Sequence, residues 1–220
     1  ALAPGKACYV PLLHQSGNGD LLGGGPAEGQ IPMGEALAAL KGLLEDPSIL
    51  KVAQNLKYDY LVMKRHGVTL QSFDDTMLMS YAMHAGLNGH GMDALSEQYL
   101  GHQPIPIKSL LGSGKAQVTF DRVPMAEAVK YAAEDADVTL RLHQELWGRL
   151  QSVPSLAKVL REIEIPLVPV LARIERQGAL VDAKLLGEQS VELGEKLVEQ
   201  GGAGQLLIRL KTGGGGHQLF

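Results

Sequence analysis

An α/β fold over residues 1 to about 150 is predicted by three features of the 220-residue chain. Short apolar runs rich in β-branched residues alternate with stretches that carry apolar residues at helical spacing, the pattern of a sheet flanked by helices rather than of a bundle or a sandwich. The glycines are segregated: 14 of the 27 lie between Gly17 and Gly34 or between Gly201 and Gly216, so the region between these stretches is free to form regular elements. With 45% hydrophobic residues the chain can bury a core in one domain, or in one domain with an appendage.

Taken in order, Ala7 to Pro11 is short, β-branched and aromatic and predicts a strand. It runs into HQSGNGDLLGGGPAEGQ, which predicts a surface loop. Leu37, Leu40, Leu43 and Leu44 recur at three-to-four spacing and predict a helix over Met33 to Glu45, stopped by Asp46-Pro47. Ile49 to Ala53 predicts a buried strand, Gln54-Asn55 its end, and Tyr58 to His66 a helix capped by Gly67. Junctions of that kind, strand end to helix start, are where α/β folds place their chemistry.

Phe73 to Ala85 predicts a helix capped by Asp74 or Asp75 and ended by Gly86 and Gly89. Asp93 to Leu100 predicts a short helix with Asp93 as cap, and Gly101 to Thr119 a connector. Pro124 to Leu150 predicts a long helix in which Ala128, Tyr131, Ala132, Asp135, Leu142 and Leu146 share or flank one face. From Leu156 to Ile174 a helical apolar stripe continues with Pro166 and Pro169 inside it, which predicts a kink. Gln177-Gly178 ends that helix, Ala179 to Val181 is a brief extended piece, and Ala183 to Gln200 predicts a last helix before a Gly-rich tail.

A net charge of -4 and a sequence pI near 6.0 exclude a free-standing nucleic-acid module with a strongly basic face, so any contact with DNA is local. Cys8 stands alone, which excludes an internal disulfide framework, and no apolar run reaches the roughly 18 residues that span a bilayer. A reducing, cytoplasmic setting is expected. The opening ALAPGKACYVPL has no signal-like segment, and a chain beginning at Ala1 predicts a fragment.

Two local patterns carry chemistry. Gln54-Asn55-Leu56-Lys57-Tyr58-Asp59 places a carboxamide and a carboxylate at the strand-to-helix junction, where a carboxylate can hold a hard cation. Tyr131-Ala132-Ala133-Glu134-Asp135 places a phenol and a carboxylate four residues apart on one helical face. Metal-assisted phosphodiester hydrolysis needs such groups, because carboxylate-held ions generate hydroxide and steady the entering and leaving oxygens. The plainer alternative makes Asp59 a helix cap, Tyr131 a core aromatic and Asp135 a solvated helix residue. The seven histidines show no zinc-like spacing, and Gly112-Ser113-Gly114-Lys115 lacks the spacing of a phosphate loop.

On these two motifs, Leu50 to Leu150 resembles the 3′-to-5′ proofreading exonuclease domain of the bacterial DNA polymerase I family (family A). REIEIPLVPVLARIERQGALVD, Arg161 to Asp182, is similar to the start of the polymerase region that follows. The resemblance implies a ribonuclease H-like fold of the DEDD exonucleases: a mixed sheet with flanking helices, then a helical segment. It divides the chain into an exonuclease domain at 1–150, a helical start of the polymerase domain at 151–200 and a Gly-rich tail at 201–220. It implies that Asp59 and Asp135 are metal ligands and that Tyr131 orients the attacking water. Gln54, Asn55 and Tyr58 are then substrate-binding. The implied cofactors are two divalent ions, Mg²⁺ with Mn²⁺ or Zn²⁺ as alternatives. The implied partners are a single-stranded 3′ end of DNA and the remainder of the polymerase in cis, with a monomer and no membrane.

The family's first motif, Asp-x-Glu on the first strand, does not precede Cys8, and Glu162-Ile163-Glu164 is no substitute because residues two apart on a helix point to different sides. Two of four carboxylates are therefore expected to be missing, and the chain is expected to be inactive by itself. A ribonuclease D-like exoribonuclease and a metal-free structural domain beside a polymerase are the two alternatives.

Overall fold

The computed structural model describes residues 1–15, 25–86, 89–114 and 117–199. Most of the first Gly-rich loop, Lys115 and the tail at 201–220 lie outside the described residues. The chain divides into two compact units, Ala1–Ala172 and a second that begins at Arg173.

In the first unit, helix α1 (Met33–Glu45) leads through Asp46-Pro47 to strand β1 (Lys51–Ala53). Helix α2 (Leu56–Arg65) then crosses over to strand β2 (Phe73–Asp75), which lies parallel to β1 with Lys51 opposite Phe73 and Ala53 opposite Asp75. A parallel pair needs such a crossover, since a tight turn can only return the chain antiparallel. Helices α3 (Thr76–His84), α4 (Met92–Leu100) and the five-residue α5 (Ile107–Leu111) follow. A single 3₁₀ turn at Phe120–Arg122 then leads into α6 (Met125–Gln151), 27 residues long. Helix α7 (Pro154–Val159), a π-helical turn (Leu160–Glu164) and α8 (Ile165–Gln177) follow, and the first unit ends within α8 at Ala172.

The larger core forms where α6 packs against α3 and α4. Met79, Leu95, Val138, Leu142, Leu146, Leu150 and Leu160 are its buried members. Val138, Leu142 and Leu146 recur every four residues, so one stripe of α6 is out of water along its C-terminal half. A smaller cluster of Leu56, Leu70 and Val168 packs beneath β2 and α2 with Leu44, Tyr60 and Phe73 at its border. Asp74 on β2 and His143 on α6 join the two layers, with Nε2 and Oδ2 2.8 Å apart.

One carboxylate organises the junction between strands and helices. Asp75, 2% exposed, accepts from the Asn55 and Leu56 amides at the start of α2 and from the Met77 amide at the start of α3, at 3.0, 2.8 and 2.8 Å. The N-terminal N–H groups of a helix have no partner within it, so a single side chain here serves two helix starts.

Several sequence expectations are corrected. Ala7 to Pro11 belongs to no strand; among the described residues it finds no neighbouring strand, and Tyr9 packs edge-on against His14 and Phe120 instead. His14, expected to sit in a surface loop, is buried, with Nε2 2.6 Å from the Val123 carbonyl. Phe73 to Asp75 is strand, so α3 begins at Thr76 with Asp75 as its cap. β1 is half-buried rather than buried. Gly91, not Asp93, occupies the cap position of α4, which puts Asp93 in the first turn. α5 forms inside the expected connector. The α/β character expected from the sequence holds: among the described residues two parallel strands lie against the helices. Of the stripe expected from Leu156, Val159, Leu160, Ile163, Leu167, Val170, Leu171 and Ile174 only Leu160 is buried, while Val168 and Ala172, outside that stripe, are the buried residues of α8. The irregularity near the prolines takes the form of the π turn, in which the Ile165 N–H reaches back to Leu160, just before Pro166 removes a donor.

The second unit contains α9 (Ala183–Glu199), whose first turn is met by the Asp182 carboxylate through the Leu185 amide at 2.9 Å. Lys184 with Glu188 and Lys196 with Glu192 pair along its surface. Among the described residues no helix is long and apolar enough to cross a membrane.

Two stability measurements test this account. Leu142→Ala should lower the urea-unfolding free energy by about 2–5 kcal/mol through a cavity in the α6 face. Asp75→Asn, which keeps one acceptor oxygen of two, should cost about 1–3 kcal/mol with an unchanged slope. A shift of a few tenths in either would show that the residue does not hold the fold.

Candidate active site

The turn between β1 and α2 is two residues long. Asn55 takes the left-handed conformation there, φ 58, which a short polar side chain tolerates and a β-branched one does not. Its own side chain makes no cap; the amides of this turn go to Asp75. Gln54 is anchored at both ends of its carboxamide, donating from Nε2 to the His90 carbonyl at 2.8 Å and accepting from the Thr76 hydroxyl at Oε1. His90 is held in turn by Ser80, whose Oγ lies 2.9 Å from Nδ1. This turn sets the direction of the first turn of α2, which carries Tyr58 and Asp59.

From the opposite side α6 presents Tyr131 and Asp135, one helical turn apart and close enough for each to shift the ionisation of the other. The ring of Phe120 tilts against Tyr131 at a centroid distance of 5.7 Å. Gln54, Tyr58, Asp59, Tyr131 and Asp135 all line one cavity of about 1150 Å³, whose apolar wall includes Ile107, Leu111 and Phe120. Asn55 borders a different cavity of about 200 Å³, beside Asp75 and Glu164. The apolar wall was not legible in the sequence. Its residues lie in a stretch rich in Pro and Gly, and their only signal is an aromatic, Phe120, standing ahead of the long helix.

The electrostatics of the cavity favour a positive charge. Loss of hydration, and then the charge of Asp75, push Asp59 up to about 6 against the pull of a backbone N–H. Asp59 keeps an exposed face, so water tempers the size of this shift and not its direction. Asp135 is also pushed up to about 6, by loss of hydration first; the Tyr131 hydroxyl pulls it down while Glu134 and Asp93 push it up. The Tyr131 hydroxyl is driven above its ordinary value by burial and by Asp135, so it stays protonated.

Asp135 Oδ1 is buried and without a hydrogen-bond partner. A carboxylate oxygen in that state is costly, and a hard cation satisfies it. Carboxylate oxygens are also the donors that Mg²⁺ and Mn²⁺ select. In number the set is short: among the described residues no group of three or more His, Cys, Asp or Glu side chains is placed to hold a metal ion. The donors fit a divalent ion in kind and are incomplete in count.

Over residues 1–151 the chain matches the model of a family described as 3′-5′ exonuclease. It is 59% identical over 190 residues to DNA polymerase I of Rhizobium leguminosarum, covering 86% of this chain and 19% of that protein. It is 52% identical over 201 residues to DNA polymerase I of Pseudomonas aeruginosa, covering 90% of this chain and 21% of that one. The chain thus spans about a fifth of the length of these relatives. The POL domain of Pol1 from M. smegmatis, solved in complex with DNA primer-template and dNTP, aligns with a TM-score of 0.60 at 24% identity over 80% of this chain and 27% of that one, a likeness of fold. Helices on a small parallel sheet, two carboxylates and a phenol in one cavity, and a family match over more than half the residues lead to one assignment: the chain belongs to the 3′-5′ exonuclease family of the A-type DNA polymerases.

Proposed function

We propose that the chain carries the proofreading exonuclease part of a DNA polymerase I, and that the whole protein removes nucleotides from a single-stranded 3′ end of DNA by metal-assisted hydrolysis. The observation that carries this reading is the convergence of Asp59, Tyr131 and Asp135, from two helices far apart in sequence, on one cavity of about 1150 Å³. That exceeds the 300–1,000 Å³ or so typical of small-molecule sites and accommodates a strand end. Residues 1–150 form the exonuclease domain in this reading, and 151–200 the start of the polymerase region, ahead of the tail at 201–220. The family match ending at residue 151 and the longer matches to the relatives support that division. The protein acts as a cytoplasmic monomer with the remainder of the polymerase in cis.

The family uses divalent metal ions. Asp59 and Asp135 would hold them here, Mg²⁺ by preference with Mn²⁺ or Zn²⁺ in its place, and a bound ion supplies Lewis acidity and lowers the pKa of water. The chain's own groups have separate tasks. Tyr131 keeps its proton, and its phenolic lone pairs can accept from a water and set its direction. Asp135 keeps Oδ1 open. Tyr58, 67% exposed at the cavity, offers a face on which a base can stack. Gln54, with both ends of its carboxamide engaged, contributes to substrate binding by holding the turn in place.

With Asp59 and Asp135 as the ligands proposed among the described residues, the 220-residue chain should leave a 5′-labelled single-stranded oligonucleotide intact in Mn²⁺, while the whole polymerase shortens it from the 3′ end. Asp135→Asn in the whole polymerase should reduce that shortening by more than ~100-fold. Undiminished exonuclease activity in the variant would remove Asp135 from the site.

The same carboxylates predict a pH dependence. Both are raised from 3.8 to about 6, so between those values the folded chain binds more protons than the unfolded one. Their contribution to stability is complete below about pH 4 and is lost as pH rises through about 6. The metal-free chain should therefore lose stability over that window by urea denaturation, and Asp59→Asn with Asp135→Asn should flatten the loss. Added Mn²⁺ should raise Tm more at pH 7 than at pH 5. An equal rise at both would mean that the ion binds elsewhere.

A further inference from the structure

Helix α5 forms one wall of the candidate cavity through Ile107 and Leu111, yet little in it explains why it stays in place. It is five residues long, no side chain caps its N-terminus and none of its residues is buried. A helix of that length has no stability of its own in water. It meets α6 directly, and its flanks add further contacts. On the C-terminal side the Val118 amide donates to the Leu111 carbonyl at 2.9 Å. On the N-terminal side the segment 102–106 is held at several points. Pro104 is buried, the His102 carbonyl accepts from Ser96 Oγ at 2.8 Å, the His102 amide donates to the Ser96 carbonyl at 3.3 Å and Gln103 Nε2 donates to Glu97 Oε1 at 3.3 Å. Two further contacts go to a single carboxylate on α6. Glu134 Oε2 accepts from the Ile105 amide at 2.7 Å, and Oε1 lies 2.9 Å from His102 Nε2.

Glu134 immediately precedes Asp135. Neighbouring positions on an α-helix lie about 100° apart, so Asp135 turns to the cavity while Glu134 turns to the 102–106 segment. The register of α6 that places Asp135 thereby also places α5.

We propose that Glu134, acting through His102 and the Ile105 amide, is a positioning residue of the site: it pins segment 102–106 to α6, so that α5 presents Ile107 and Leu111 to the nucleotide end bound beside Asp59 and Asp135. The proposal rests on the reading of that cavity as a DNA site. It assigns Glu134 no contact with substrate and no role as a metal ligand.

The test uses the full 220-residue chain, with Glu134→Ala and Glu134→Gln. Both variants remove the negative charge beside Asp135; only Gln keeps an acceptor oxygen for the Ile105 amide. Amide hydrogen exchange over residues 102–118 of the free chain reads the clamp directly. Anisotropy of a 5′-fluorescein-labelled oligo(dT) in EDTA reads its consequence. Glu134→Ala should speed exchange of the α5 amides and weaken binding of the oligonucleotide, each roughly tenfold, the effect of losing one hydrogen bond to a charged group. Glu134→Gln should stay within about threefold of the parent chain in both. Unchanged exchange in Glu134→Ala overturns the proposal. So does an equal effect of the two variants, which would make the residue an electrostatic neighbour of Asp135 and nothing more. If the parent chain does not bind the oligonucleotide, the DNA reading fails for this chain. The exchange comparison then decides the clamp alone: α5 loosened by Ala and not by Gln supports it, and no difference overturns it.

Discussion

The buried carboxylate of Asp75 is the interaction on which the remaining structure depends. Two helices begin at the ends of two parallel strands, and each leaves amide groups that no helix satisfies internally. Asp75 takes amides from both, so the direction of α2 and that of α3 are fixed against one another by a single side chain. Removal from water raises its pKa, and the amide donors oppose that rise. The same charge is felt by Asp59 and contributes to its raised pKa. The group that builds the junction thus also conditions the site carried on it.

Helix α6 shows a second form of dual use. Its C-terminal half supplies Val138, Leu142, Leu146 and Leu150 to the core, while its N-terminal half supplies Tyr131, Glu134 and Asp135 to the cavity and its wall. A helix 27 residues long is rigid over that distance, so packing at one end holds side chains at the other. The partly buried Asp74–His143 contact ties the same helix to β2. Positions of the polar groups in the cavity are therefore set by the hydrophobic core further along the same helix.

Much of the helical part of this arrangement was legible in the sequence. α1 and α6 follow apolar periodicity, α9 falls where expected, and α2 begins two residues ahead of the expected Tyr58. Gly67 and Pro124 mark ends as expected, and the four-residue spacing of Tyr131 and Asp135 places them on one helical face. The strands were harder. Phe73 to Asp75 looks like the beginning of the helix that follows it, because a three-residue strand has no periodicity to show; only its pairing with Lys51–Ala53, more than twenty residues away, makes it one. Ala7 to Pro11 shows the converse, a sequence with strand character that finds no ladder among the described residues. His14 and Asp75 carry polar side chains that ordinarily sit at the surface, and each is buried because specific backbone groups receive it.

By itself the sequence determined the α/β character, the long amphipathic helices, and the presence of a carboxylate at the strand-to-helix junction with a phenol and a carboxylate one turn apart. These are local properties, set by spacing over a few residues. Only the tertiary structure decided that Asp59 and Tyr131, 72 positions apart, face one cavity, that Asp135 keeps an unpartnered oxygen there, and that α5 closes the wall. Such relations depend on which distant segments exclude water from one another, and no window of sequence contains both partners.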